Sequence, residues 1–201
     1  MSEPRSSKNQ TGLPTQKRYI TDHDENGVSI FSSFPEKAIY EDINPDMDFF
    51  VAYTNSISPN LNNSADLLKY KNILEGTQPP LTIPGGTVLR VCNFAPGSVT
   101  AMHRTTSLDF GIVLEGEVEL ILDSGETRLL VPGDIAVQRG TMHAWRTPSQ
   151  SKWSRMIFVL QDAKPLEVGG RQLADEYGGI QVQSTSEFSG VKKDAEGTET
   201  N

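Results

Sequence analysis

Between Thr87 and Leu160 the chain runs in short stretches of Val, Ile, Leu and Phe, separated by Gly97, Gly116, Gly125, Gly133 and Gly140. After the first gap these glycines return every seven to nine residues, the rhythm of short antiparallel strands joined by tight turns. Asp123-Ser124-Gly125 and Pro132-Gly133-Asp134 supply the turn chemistry, with glycine taking a positive φ and proline presetting its own. The expected fold is all-β, an antiparallel barrel or sandwich. Within it, Leu108, Phe110, Ile112 and Leu114 alternate with Asp109, Gly111 and Val113. Side chains alternate across a strand, so four large apolar groups point one way and Asp109 the other. Either the apolar face is the core, or the core lies on the Asp109 side and something else covers the outer face. The cover would be the 37–54 hairpin or a second copy of the chain, and a homodimer is therefore expected.

Outside this region the pattern changes. Residues 37–54 read as two strands flanking the turn Asn44-Pro45-Asp46. Ser64 to Gly76 carries Leu67, Leu68, Ile73 and Leu74 between a serine start and a glycine stop, which predicts a short helix. Pro79, Pro80 and Pro84-Gly85-Gly86 break regular structure before the barrel region begins. A second short helix is expected near Gln172–Tyr177. The polar, aperiodic ends, 1–28 and 183–201, predict mobile tails. The resulting division is a tail at 1–28, an extension at 29–86, the barrel at 87–165, a second extension at 166–182 and a tail at 183–201. No internal repeat is visible.

Composition supports one soluble, turn-rich domain: 201 residues, 36% hydrophobic and 22% charged, with 17 glycines and 12 prolines. A formal charge of −8 opposes nucleic acid and anionic bilayers, and a small-molecule substrate is the expected partner. No stretch reads as a leader or membrane span, so a cytoplasmic protein is expected. Cys92 is the only cysteine; no internal disulfide is available, and it reads as a buried apolar residue on a strand. There is no nucleotide-cofactor motif.

Three histidines occur, and two of them, His103 and His143, lie in the β-rich region a few residues after a turn glycine. His103 and Thr105 share one side of an extended strand, and His143, Trp145 and Thr147 share one side of a later strand. Gly97, five residues, His103-Arg104-Thr105, three residues, Asp109, six residues and Gly116 form one run. Gly133, then Gln138-Arg139-Gly140, two residues, His143, three residues and Thr147 form a second. These runs resemble the two motifs of the cupin superfamily. Thr105 stands where the family has a ligand histidine, Asp109 where it has glutamate, Gln138 where it has proline and Thr147 where it has asparagine. The resemblance implies a cupin-type jelly-roll barrel over about 87–160.

In the family the matching histidines and glutamate hold a divalent metal. Carried over, the resemblance implies His103, Asp109 and His143 as ligands for iron, manganese, zinc or nickel, the inventory of a 2-His-1-carboxylate site. Asp is a methylene shorter than Glu, which counts against that set. Without metal, the same three residues suit acid–base catalysis by a lyase or isomerase, a dehydratase or decarboxylase. A barrel that binds ligand without catalysis is a third reading. Trp145, Thr105 and Thr147 are the candidate substrate contacts, Trp145 by stacking on a planar ligand. Arg90, Arg104, Arg139, Arg146 and Arg155 sit in or beside strands, and any that faces inward would anchor a carboxylate or phenolate. The runs 103–111, 137–140 and 142–145 resemble small one-barrel cupins of fungal polyketide and secondary-metabolite pathways. That resemblance implies a tailoring oxidoreductase acting on a small aromatic or polyketide-like intermediate.

Overall fold

The computed structural model describes residues 11–34, 40–75 and 81–178. In chain order the elements are β1 (Thr21–His23), β2 (Ser29–Phe31), β3 (Glu41–Asn44), β4 (Met47–Ser56), a 3-10 turn (Asn62–Ser64) and α1 (Ala65–Glu75). Then follow β5 (Gly86–Phe94), β6 (Ser107–Glu115), β7 (Val118–Leu122), β8 (Thr127–Leu130), β9 (Ile135–Arg139) and β10 (His143–Arg146). The chain continues through β11 (Ser154–Asp162), β12 (Leu166–Val168) and β13 (Arg171–Leu173). Six strands in the order β3-β4-β5-β11-β6-β9 form one sheet, and β10-β7-β8 form a second. Their pairings are antiparallel. One apolar cluster joins Phe49, Val88, Met156 and Phe158 of the first sheet to Val118, Leu130 and Trp145 of the second. This is the all-β antiparallel architecture that the glycine rhythm predicts.

The packing of β6 decides which of its two faces is inside. Ser107, Asp109, Gly111 and Val113 are buried, while Leu108, Phe110, Ile112 and Leu114 are only half-buried. The core therefore lies on the Asp109 side. The reason is volume: Gly111 pairs with Phe158 of β11, and a Cβ on it would stand 2.9 Å from Phe158 Cε1. Met156, Phe158 and Leu160 of β11 fill the inner face, so β6 contributes small and polar side chains there.

Part of the outer face is covered by the N-terminal segment, which corrects the expectation of a tail through residue 28. Phe50, Ala52 and Val91 pack with Tyr40, Leu89 and Ile157. Arg18 lies 4.8 Å from the Phe34 ring centroid and 5.5 Å from that of Phe50, donates to Ala52 O at 3.1 Å, and bonds the Tyr70 hydroxyl. Arg155, almost wholly buried, donates through Nη1 to Pro14 O at 2.7 Å and through Nε to Asn93 Oδ1 at 2.7 Å. Asn93 in turn donates to Asp48 Oδ1 at 2.6 Å. Composition hid this order because the anchors are guanidinium contacts with rings and carbonyls rather than apolar side chains.

The 37–54 hairpin appears as β3 and β4, although residues 37–39 lie outside the described residues. The helix expected from Ser64 to Gly76 is α1, held by buried Tyr70, whose hydroxyl donates to Val51 O at 2.7 Å; Gly76 lies outside the described residues. The second expected helix, near Gln172–Tyr177, is absent: Leu166–Leu173 is a β12–β13 hairpin. Gly169 (φ 58°) and Gly170 (φ 74°) form its turn, both in the left-handed region that a primed two-residue hairpin turn demands. The expected tail at 183–201 lies outside the described residues. Among the described residues no helix is long and apolar enough to cross a membrane.

Removing the Arg155 side chain leaves Asn93 and Pro14 O without their donor inside the protein. Arg155→Ala is expected to lower unfolding free energy by about 3 kcal/mol, read by urea titration. It should also speed tryptic cleavage at Lys17 and Arg18, and digestion at the parental rate would show that Arg155 does not tether the segment.

Candidate functional site

Residues 98–104 run alongside β10 as an irregular strand. Thr147 donates its N–H to Ser98 O at 3.0 Å and Thr100 its own to Trp145 O at 2.9 Å. His103 and His143 exchange both backbone bonds at 2.9 Å. Residues paired in this way carry their side chains on the same face, and the two imidazoles stand with ring centroids 4.2 Å apart. Each Nδ1 lies 2.9 Å from a backbone carbonyl two residues earlier, Ala101 O and Thr141 O respectively. A carbonyl only accepts, so Nδ1 carries the hydrogen and Nε2 keeps its lone pair in both rings. Burial lowers the proton affinity of both rings, and in His143 burial and the neighbouring His103 together bring the pKa to about 4. Both imidazoles are neutral at neutral pH.

Asp109 stands on the inner face of β6. Its Oδ2 accepts from Thr105 Oγ1 at 3.0 Å, and Thr105 Oγ1 accepts from Ser107 Oγ at 2.9 Å. Burial pushes the carboxyl up to about 6, against the opposing pull of the Ser107 and Thr105 hydroxyls and the Arg90 charge. Its direct neighbour across the ladder is Gln138 of β9, also buried. Arg90 faces inward from β5 with its guanidinium 4.6 Å from the Phe49 ring centroid. These groups surround a cavity of about 80 Å³, with Phe49, Phe94, Trp145 and Phe158 as aromatic walls. That is room for several waters or one ring-sized group. Trp145 packs edge-on to His143 and to Phe158, which sets its plane. Cys92 is buried on this wall with its thiol pushed up to about 12 by desolvation, an inert packing residue.

Of the residues singled out from the sequence, His103, Thr105, Asp109, His143 and Trp145 line the cavity. Thr147 does not: it is buried, but outside the lining. The expected three-ligand metal set is not gathered either. Among the described residues no group of three or more His, Cys, Asp or Glu side chains is placed to hold a metal ion. The Asp109 carboxylate is turned to Thr105 instead, and two imidazoles alone are fewer than the three protein donors of catalytic zinc sites. Of the five arginines singled out in or beside strands, Arg90 alone lines the cavity; Arg104 pairs with Glu176 and Arg146 with Glu119. Gln138 and Ser107 were not singled out as site residues. Their signal was strand alternation once β6 is known to turn Asp109 inward: Ser107 shares the Asp109 side of β6, and on β9 Ala136 and Gln138 share the side opposite Ile135 and Val137.

Residues 90–160 match the model of the family described as Cupin domain. The chain is 46% identical over 169 residues to phomopsin biosynthesis cluster protein C' of Diaporthe leptostromiformis, covering 83% of this chain and 89% of that protein. It is 40% identical over 171 residues to the cupin-domain-containing oxidoreductase srdB of Neurospora crassa, covering 83% of this chain and 84% of the relative. Among solved structures it is similar to an RmlC-like cupin from Shewanella frigidimarina, with a TM-score of 0.43 and 17% identity over 66% of this chain and 90% of the other.

The two perturbed groups act on stability with opposite signs. His143 binds its proton more weakly folded than unfolded, so its contribution is lost as pH falls from about 6.5 toward about 4. Asp109 binds its proton more tightly folded, so burying it costs nothing below 3.8, and the cost grows as pH rises through about 6. Asp109→Asn is therefore expected to stabilise the fold by about 3 kcal/mol at mildly alkaline pH, with the gain vanishing in acid. Paired urea titrations at the two pH values check this, and an equal effect at both would contradict the assigned burial cost.

Proposed function

This chain belongs to the cupin family, and on that premise we propose that it is a tailoring enzyme of fungal secondary metabolism, an oxidoreductase acting on a small aromatic or polyketide-like intermediate. The observation that carries the reading is the convergence of the His103–His143 pair and the Asp109 carboxylate on one aromatic-walled cavity. Relatives 37–40% identical bear the name cupin-domain-containing oxidoreductase, which favours oxidation as the reaction class. The chain's own residues supply proton management. The Nε2 lone pairs of the neutral imidazoles accept a proton from the ligand, and their close spacing lets only one ring become charged at a time. Asp109 titrates close enough to neutrality to take and return a second proton. The Trp145 ring presents a face for a flat ligand.

A second reading is favoured by the lack, among the described residues, of a three-ligand metal cluster: a metal-independent lyase or isomerase using the same three residues as acid and base. Incubation with intermediates extracted from the biosynthetic pathway separates the two by product mass. Loss of two hydrogens or gain of oxygen marks oxidation. Loss of water or carbon dioxide, or unchanged mass with turnover surviving a chelator, marks the second reading. His103→Ala and His143→Ala are each expected to slow turnover roughly 100-fold or more; undiminished turnover in both would remove the site from the reaction.

We also propose that the chain works in the cytoplasm as a homodimer. One buried cysteine with no partner suits a reducing compartment. Ile135 and Val137 are 63% and 56% exposed beside the half-buried Leu108, Phe110, Ile112 and Val159. An apolar sheet face without charge at its centre can meet its own copy about a two-fold axis. Val137→Glu is expected to shift the protein to monomer in analytical ultracentrifugation; parent protein that already sediments as monomer would contradict the dimer.

A further inference from the structure

Thr105, Ser107 and Asp109 are 3%, 2% and 3% exposed, so bulk water does not satisfy their side chains. The Thr105 hydroxyl lies 3.0 Å from Asp109 Oδ2, and the Ser107 hydroxyl lies 2.9 Å from Thr105 Oγ1. An ionised carboxylate only accepts, so the single hydroxyl hydrogen of Thr105 goes to Oδ2. Thr105 Oγ1 then has no hydrogen left for Ser107 and must accept one from it. The Ser107 hydroxyl also favours the ionised carboxylate, yet its own hydrogen is committed to Thr105, because the 2.9 Å oxygen–oxygen contact would otherwise hold none. The chain therefore runs one way, from Ser107 through Thr105 to Oδ2.

Thr105 is a candidate substrate contact by its spacing, but its hydrogen is spent on the carboxylate, and it bears on a ligand through Asp109. Asp109 lines the cavity with Oδ2 engaged, and its Oδ1 meets no partner among the described residues. The carboxylate thus has one oxygen left for a ligand. A guanidinium or amidinium pairs with both oxygens of a carboxylate, and either cation would meet the charge of Arg90 on the same cavity lining. A hydroxyl needs one acceptor and brings no charge. Phe49, Trp145 and Phe158 suit a flat ring that carries it.

We propose that Ser107 and Thr105 are positioning residues that lock the Asp109 carboxylate through Oδ2 and leave Oδ1 as the single acceptor for the hydroxyl of a phenol-type ligand. This rests on the cavity being the ligand site, and it narrows the substrate class of the reading above.

The test uses phenol and toluene, which share an outline and differ in the O–H, titrated calorimetrically. A mildly alkaline buffer keeps Asp109, at about 6, ionised and phenol protonated. In Thr105→Val phenol should bind about tenfold more weakly than in the parent, the worth of one hydrogen bond to a charged group. Toluene affinity should not change, whereas damage to the cavity itself would weaken both probes. Thr105→Ser should restore phenol binding. The double variant Thr105→Val/Ser107→Ala should bind phenol as Thr105→Val does, because Ser107 acts through Thr105. Undiminished phenol binding in Thr105→Val, equal loss of both probes, or a further loss in the double variant overturns the positioning chain and leaves the cavity standing. If Thr105→Val does not fold, Ser107→Ala decides alone: a roughly threefold loss of phenol with toluene unchanged supports the chain, and unchanged phenol overturns it. Parent protein that takes up neither probe overturns the cavity as the ligand site, and the chain with it.

Discussion

Two backbone hydrogen bonds exchanged between His103 and His143 join the irregular stretch 98–104 to β10, and the rest of the site follows from them. They bring together two residues distant in sequence, put both rings on one face and set their separation. The Nδ1 contacts to Ala101 O and Thr141 O then fix both rings in one tautomer. With both Nδ1 atoms engaged in the same way and both rings desolvated, the pair presents two lone-pair nitrogens without charge. That state is pre-organised by the backbone and does not depend on a ligand to form it.

The inner face of β6 carries the polar half of the site at a cost that the neighbouring strands offset. Gly111 and Asp109 are poor core residues by themselves, and they are tolerated because Phe158 and Leu160 of β11 occupy the volume beside them. The outcome is a face divided into a bulky strand and a hollow strand, with the cavity in the hollow. The same alternation leaves apolar side chains outside. The N-terminal segment covers those over β4 and β5, and the half over β6, β9 and β11 remains open to solvent in the single chain.

The fold was largely readable from the sequence, since the glycine rhythm and the period-two runs report the strands directly. The helix at Ala65–Glu75 and the hairpin β3–β4 were legible for the same reason, each having its own periodicity and stop signals. Three features were not. Residues 11–28 look like a tail because their anchoring is carried by Arg18 and by Pro14 O, and composition does not register single directed contacts. The β12–β13 hairpin was hidden because Gly169-Gly170 reads as a plain break until the strands on either side are seen to pair. At the site, His103, Thr105, Asp109, His143 and Trp145 line one cavity, but strand alternation left open which face of β6 is inside and could not give the direction of the Asp109 carboxylate. That depends on the Thr105 hydroxyl, a local choice among donors that spacing does not encode.

Arg104, the residue next to His103, exchanges backbone bonds of 2.7 and 2.9 Å with Glu176, and its guanidinium reaches Ala174 O and the Glu176 carboxylate. Consecutive residues of one short segment are thus stitched to opposite neighbours, His103 to β10 and Arg104 to the chain beyond β13. Residues 174–177 act as a splint for the imidazole on the far side of the backbone. Motion of His103 and fraying of that splint are therefore one event, and hydrogen exchange at the Arg104 and Glu176 amides would track how firmly the ring is held.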